Sequence, residues 1–495
     1  LKKTLSGTVL TGTVYHAFKL KYFLERQSLP CFYKHKNMSK NRKKKRRADA
    51  DQASKKMERF ELLNPKSAGI DIGSMLIVVS YTDREGIINL REFDSFTSSL
   101  YELAELLQKE EVEKVVMEAT GPYWESLYNI LEKHGMEMIL INPSHYKNVS
   151  AQKTDINDAQ WLHQLLAHGL IRNSHIAPEL YRELRQYLHE REIYQNHKSD
   201  SLNRMQKTLT LMNVKFQHLI SDVEGVSGMK LLRTISSGVS DPKILLARID
   251  VKKLKASPED LLSSLQGDYK QHYINILSNT LKSYDFYKEQ MLVYEVHIEQ
   301  TLRELLAYTG EQKAAIQKKT QKARKNQYSF NLKDYLLNIF GIDLTEVEGL
   351  DEIGLLTILA VTGTNMKKWP TAEHFVSWLN LSPRPKISGG KVIGYEKRNN
   401  NNPATQAFRL AAHCLWQSKG PMGQQYKRLA ATKGSKKAIK AVARKLAVIF
   451  YHMVLNKQAF DATRLQPDIA QQKARKIARL QKEAAKLGLT IQKAA

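Results

Sequence analysis

Residues 69–81, GIDIGSMLIVVSY, decide the architecture of the amino-terminal half. A dense run of β-branched and aliphatic residues, bounded by glycines and too short for a helix of useful length, reads as a strand. TDREG (82–86) supplies the turn and IINLREF (87–93) a second strand. Leu100, Leu103, Leu106 and Leu107 then repeat at helical spacing. VEKVVME (112–118) is a short buried strand, and Gly121 and Pro122 punctuate the chain after it. Residues 123–134 suit a helix, MEMILIN (136–142) a strand, and residues 155–168 another helix. This alternation predicts an α/β domain built on a sheet.

Beyond Pro178 the character changes. Two long polar-rich tracts, about 178–221 and 264–328, carry repeated Leu, Met and Tyr among Gln, Glu and Lys, and suit an antiparallel helical pair or coiled coil. A compact basic insert near 225–260 separates them. VEGLDEIGLLTILAVTG (347–363) has the form of a helix, a glycine-bearing turn and a second helix, which presents backbone amides to a phosphate. The turn-rich KISGGKVIGYEKRNNNN (386–402) and a helical stretch to about 460 follow. The expected organisation is therefore a flexible basic extension (1–67), an α/β catalytic domain (68–177), a helical coiled-coil region with an insert (178–335), a mostly helical carboxy-terminal domain (336–460) and a basic helical tail (461–495).

Composition narrows the partner. The 77 Lys and Arg against 50 Asp and Glu leave a formal charge of +27 over 495 residues, which calls for a polyanion. The charge is concentrated: between Lys397 and Phe460 lie 13 Lys or Arg and no Asp or Glu, and KNRKKKRR (40–47) forms a second basic run. No apolar run is long enough for a membrane span. Only Cys31 and Cys414 are present, which excludes a disulfide framework or a thiolate zinc site within one chain. Without a secretory h-region, a reducing cytoplasm is expected. The chain begins at Leu1, so the first 37 residues read as an upstream extension with Met38 a candidate start, and no chemical role is assigned to them.

Four carboxylates carry the candidate chemistry. Asp71 sits in GIDIG, where small neighbours would let a substrate backbone approach the strand. Glu118 ends KVVME, and strand ends are where open sheets place reactive groups. Asp155 and Asp158 in KTDINDAQ are three apart at a helix start and share a face. Four such groups would repel unless hard cations neutralised them, and Mg²⁺, with Mn²⁺ able to substitute, wants oxygen ligands while keeping positions for water and phosphate. Two ions could then activate the attacking oxygen and stabilise the leaving one. The plainer reading has Asp155 and Asp158 capping the helix, Glu118 facing solvent and Asp71 closing a turn.

Ser388 lies in KISGGKVIGY, with Arg384, Lys386, Lys391, Lys397 and Arg398 close in sequence and Arg409 further on. On the residues alone, a glycine-rich phosphate-binding loop explains this segment more simply than a nucleophile, because a serine hydroxyl must be activated and presented. His134, His145, His163 and His168 match no zinc spacing and suit surface or satisfied helix positions. Trp124 and Trp161 suit core packing, Tyr123 could stack on a nucleotide, and GIDIGS matches neither dinucleotide nor P-loop fingerprints.

The segments GIDIG with Asp71, MEATGPYW with Glu118 and KTDINDAQWL with Asp155 and Asp158, in this order, resemble the IS110/IS1111 transposases, also described as bridge-RNA recombinases. The resemblance runs from about Gly69 to Met453. It implies a RuvC/RNase H-like domain with a four-carboxylate Mg²⁺ site. KISGGK resembles the family's serine segment, which implies that Ser388 is the nucleophile forming a covalent phosphoserine link to DNA. RNNNNPATQAFRLAA is similar to a less common form of the family's basic segment, without the glycine-asparagine pair many members carry, which bears on phosphate contacts by Asn402 and Arg409. The implied partners are donor and target DNA, a structured noncoding guide RNA and further copies of the chain, dimer to tetramer, with the active site shared between protomers. The implied location is the prokaryotic cytoplasm, with association to the nucleoid during activity. Two other classes fit the same residues: a structure-selective RuvC-like nuclease that attacks with water, and a non-catalytic RNA- or DNA-binding scaffold.

Overall fold

The computed structural model describes residues 62–119, 121–141, 155–171, 176–310, 315–319, 326–396, 402–461, 469–486 and 488–489; side chains of residues 155–157, 469–473, 475 and 476 are outside this set. The chain divides into two compact units, Leu1–His175 and Ile176–Ala495.

In the first unit a mixed five-stranded sheet has the order β3-β2-β1-β4-β5. Its strands are β1 (Ser67–Ile72), β2 (Leu76–Thr82), β3 (Ile88–Asp94), β4 (Lys114–Glu118) and β5 (Glu137–Ile141). Three helices flank it: α1 (Thr97–Lys109), α2 (Trp124–Lys133) and α3 (Asp155–Ala167). GIDIGSMLIVVSY, expected as one strand, is two. The Gly73 amide donates to the Leu76 carbonyl at 2.8 Å, the chain reverses through Gly73–Met75, and β1 and β2 pair antiparallel. A continuous apolar run hides such a reversal because both strands are buried. β1 pairs parallel with β4, and β4 with β5. The result is an α/β sheet domain consistent with a RuvC/RNase H-like fold.

One contact fixes where α3 lies. A Cβ added at Gly69 would fall 2.5 Å from the Ala159 carbonyl oxygen and closer still to the His163 backbone nitrogen, so helix backbone rests directly on strand backbone. Gly69, two residues before Asp71, thus admits a helix and not a substrate backbone, while Gly73 on the other side lies in the β1–β2 turn. The far end of α3 is held too: the Leu63 and Asn64 amides donate to the Ala167 carbonyl at 2.9 and 3.0 Å, and Asn64 Nδ2 to the Leu166 carbonyl at 2.8 Å. Leu162 and Leu166 bury against Val116, Ile139 and Ile141. Alternate strand residues Ala68, Ile70, Val79, Val115 and Met117 are equally buried, as are Leu103 and Leu107 of α1 and Leu127 and Leu131 of α2, so both sheet faces are covered.

The second unit is largely helical. Its longest elements, α4 (Glu179–Leu211) and α8 (Gln271–Thr309), pack antiparallel. Arg191 and Glu295 form a buried ion pair at 2.6 Å between them, and the Ser329 amide donates to the second Glu295 oxygen at 2.8 Å. Along the same seam Tyr187 stacks on His297, Tyr194 on Tyr294 and His197 on Tyr287. The insert is a helical knob of α5 (Val226–Ser236), α6 (Pro242–Ala247) and α7 (Pro258–Ser264) that shares one apolar core with Leu202, Met205 and Leu209 of α4 and Leu277 and Tyr284 of α8. Lys198 and Tyr284 both donate to Glu224 at 2.8 Å and tie that knob to the long helices.

The remaining helices are α9 (Leu332–Phe340), α10 (Glu352–Thr362), α11 (Ala372–Trp378), α12 (Pro403–Cys414), α13 (Pro421–Lys433), α14 (Ser435–Asn456) and α15 (Ile469–Lys486). Phe340, Phe375 and Phe408 each pack their rings on Phe450 at the centre of one core. Strands β6 (Pro385–Ser388) and β7 (Lys391–Tyr395) form a separate hairpin. None of the described helices is long and apolar enough to cross a membrane.

Gly69→Ala in the full chain should destabilise the first unit by about 1–3 kcal/mol, because neither neighbouring backbone can yield without shifting a whole helix. Urea denaturation followed by proteolysis of the sheet unit measures it; an unchanged midpoint contradicts the close approach.

Candidate active site

The carboxylates inherit their placement from the Gly69 contact. Gly69 pairs with Val116 and Ser80, and the side chains of that row face α3. Asp71 lies two residues further along the same face, about 7 Å on. Glu118 is on this face as well, since it pairs with Ile141, whose side chain packs under α3. The β1/β4 pairing runs to Ile70 opposite Met117, so Asp71 and Glu118 occupy the next rung at the carboxyl ends of adjacent parallel strands. α3 runs antiparallel to β1, with Ala159 over Gly69 and Ala167 beside Asn64. Its first turn, with Asp155 and Asp158, therefore lies toward the Asp71 end. Asp71, Glu118 and Asp158 are each half-buried, and the Asp155 side chain is outside the described residues.

Among the described residues no three His, Cys, Asp or Glu side chains gather closely enough to hold a metal. The donor chemistry nonetheless fits a hard divalent cation: all four groups offer carboxylate oxygens, from one end of the sheet and the facing helix start.

His163 takes the second of the two expected forms, a satisfied helix position. It is buried, not superficial, with Nδ1 3.0 Å from Ser80 Oγ and Nε2 3.1 Å from Thr82 Oγ1. Burial pushes its pKa down to about 4, against a smaller upward pull from a backbone hydrogen bond at Ser67. The alternation of Ser80 and Thr82 along β2 was the signal, because it puts two hydroxyls on the α3 face. His134 Nδ1 lies 2.8 Å from the Ile130 carbonyl, His168 is half-buried, and His145 is outside the described residues. Trp124 and Trp161 are half-buried, Trp124 meeting Tyr128 edge-on, while Tyr123 is exposed.

Ser388 stands at the tip of the β6–β7 hairpin, paired with Lys391 across Gly389 and Gly390. Those glycines have φ of 53° and 76°, the positive values that a two-residue I′ turn demands at both central positions. The segment expected as a glycine-rich loop is thus a two-stranded ribbon with a register shift between Lys386 and Ile387, and all its residues except half-buried Gly394 are exposed, Ile387 at 63% and Ile393 at 69%. Lys386 and Lys391 are exposed; Arg384 donates to Ser377 Oγ at 3.2 Å, and Arg409 to Gln406 at 3.3 Å. Lys397 and Arg398 are outside the described residues, as is the basic run 40–47. Asn402 caps α12, its Oδ1 accepting from the Ala404 and Thr405 amides, so its side chain has a structural use. Lys427, Arg428, Lys433, Lys436, Lys437 and Lys440 are exposed on α13 and α14, a basic surface on two helices that contain no acidic residue.

The glycine turn before α10 does something other than cradle phosphate. Asp351 accepts from the Gly354 amide at 2.9 Å, and Gly349, at φ 98°, fits under Ala411 and Leu415 of α12. The Gly354 amide is thus used in the helix cap and Gly349 in helix packing.

The chain therefore joins an acid-bearing mixed sheet with flanking helices to a largely helical unit carrying a basic surface. Residues 68–214 match a family described as Transposase, the IS110-type DEDD transposases, and residues 343–428 match the Transposase IS116/IS110/IS902 family. Over these two stretches the chain is similar to the IS110/IS116/IS902 transposases, which supports a transposase-like recombination function. No curated protein matches the chain.

Because the His163 pKa lies near 4 when folded and near 6.5 when unfolded, the unfolded chain takes up the proton first as pH falls. Stability held above pH 6.5 should decline by about 3 kcal/mol toward pH 4 through this group. His163→Gln should flatten that part of the profile; equal slopes for the two proteins in denaturant titrations would show that the imidazole is not kept neutral.

Proposed function

We propose that this chain is an RNA-guided DNA transposase that cleaves and rejoins DNA through Ser388. The presentation of Ser388 carries the reading. A hydroxyl at the tip of an exposed ribbon, beside a lysine and in a unit whose carboxy-terminal surface is basic, is accessible to a DNA phosphate. The phosphoserine ester keeps the phosphodiester bond energy, so strands can be exchanged and rejoined without ATP.

Asp71, Glu118, Asp155 and Asp158 would hold Mg²⁺, and Mn²⁺ could substitute. When bound, the cation supplies Lewis-acid polarisation of a phosphoryl oxygen. The carboxylates themselves orient the ion, and Asp71 and Glu118 do so from a rigid pair of strand ends. Exposed lysines of α13 and α14 would grip the nucleic-acid backbone in a salt-dependent way. Sequence specificity would come from pairing between a structured noncoding RNA and donor or target DNA, which a protein surface recognises through its backbone. The long antiparallel helices α4 and α8 would serve as a coiled coil for assembly into a dimer and, on DNA, a tetramer.

With copurified RNA, Mg²⁺ and end-labelled DNA bearing the terminus of the encoding element, a denaturation-resistant adduct should form. It should disappear in chelator, fall about 100-fold or more in Asp71→Ala, vanish in Ser388→Ala, and persist in Ser382→Ala. Normal cleavage by Ser388→Ala without an adduct would instead identify a water-using nuclease, and no cleavage under any condition a binding scaffold.

A further inference from the structure

We infer that Lys391 is a catalytic cation: its ammonium meets the phosphate that Ser388 attacks and offsets the negative charge on the nonbridging oxygens. This rests on the reading of Ser388 as nucleophile and adds the group that makes an exposed serine effective.

The hairpin register carries the inference. Ser388 and Lys391 are the two residues flanking the turn and pair directly with each other. Residues so paired project from the same face of a ribbon, with Cβ atoms about 5.5 Å apart. A four-carbon stem then lets the ammonium reach any phosphate in contact with the serine oxygen. Gly389 and Gly390, both at positive φ, close the turn in two residues and keep the pair in register. The next pair, Ile387 with Val392, projects from the opposite face, so hydroxyl and ammonium share one side and the apolar residues the other.

Of the nearby cations, Arg384 donates to Ser377 and Arg409 to Gln406, while Lys386 is exposed but lies beyond the register shift between Lys386 and Ile387, further from the turn than Lys391. Lys391 is exposed and makes no ion pair among the described residues, so its charge is not already neutralised by a carboxylate there.

In the step itself the Ser388 Oγ–phosphorus bond forms as a deoxyribose oxygen–phosphorus bond breaks. The hydroxyl proton passes to solvent, and the departing oxygen takes one up. Electron density rises on the nonbridging oxygens as both bonds are partly made, and a cation aimed there acts on the transition state more than on the bound substrate. Losing one such group costs on the order of 100-fold in rate.

The test compares a normal scissile phosphodiester with a methylphosphonate at that position, which carries no charge to offset. Full-length protein with copurified RNA and Mg²⁺ is used, and covalent adduct is followed over time. Lys391→Ala should react about 100-fold more slowly than the unsubstituted protein on the phosphodiester, whereas the ratio on the methylphosphonate should fall to near one. Lys391→Arg should retain most of the activity, and DNA and RNA binding by Lys391→Ala should change little. An unchanged rate on the phosphodiester, or an equal defect on both substrates, overturns the role of Lys391. Ser388→Ala run alongside separates the two readings: an adduct that survives it overturns the serine assignment and Lys391 with it, while an adduct lost there leaves Lys391 judged by the substrate comparison alone.

Discussion

The backbone contact of α3 on β1 at Gly69 governs the candidate metal site. No side chain separates Ala159 and His163 from the strand, so the helix cannot roll or slide without a clash, and its carboxyl end is tied at Leu63 and Asn64. Position and direction of α3 follow, and with them the level at which Asp155 and Asp158 meet the ends of β1 and β4. His163 adds a polar pin at the middle of the same helix, bonded to two hydroxyls of β2 and kept neutral by burial. A carboxylate site is electrostatically unfavourable until a cation arrives, so it has to be held by contacts that do not involve the carboxylates. Glycine packing and a neutral histidine are such contacts.

Much of this was legible in the sequence. Strand ends at Glu118 and Ile141, the start of α3 at Asp155 and the two long helices follow from periodicity and from turn residues. What periodicity could not express was chain reversal inside a mostly apolar run, since β1 and β2 are largely buried and only Gly73 and Ser74 mark the turn. The use of Gly69 was misread for a related reason: a glycine beside an acid suits a substrate or a helix equally, and only the distant partner decides. Ser388 was found as a residue, but its ribbon was not, because five glycines, lysines and serines within six positions look like a loop until the pairing is known. Turn glycines before α10 were legible as a turn but not as a helix cap served by Asp351.

The two units solve different physical problems. A twisted mixed sheet gives fixed strand ends on which charged groups can be held near one another. The helical unit spreads positive charge over α13 and α14, neither of which contains an acid, at the cost of self-repulsion that the phenylalanine cluster around Phe450 must outweigh. The β6–β7 ribbon departs from both patterns. Two strands with little burial are marginal by themselves, and this one is held mainly by its I′ turn, its ladder and the Glu396 amide donating to Arg384.

The Arg191–Glu295 pair has a mechanical meaning. Sliding α4 along α8 by one turn, about 5.4 Å, would strand two buried charges and pull Glu295 from the Ser329 amide. The stacked tyrosine and histidine rings would lose their partners in the same movement. Shear between the two helices is therefore blocked, and a push or twist delivered at one end of the pair arrives at the other without being absorbed, as in a drive shaft.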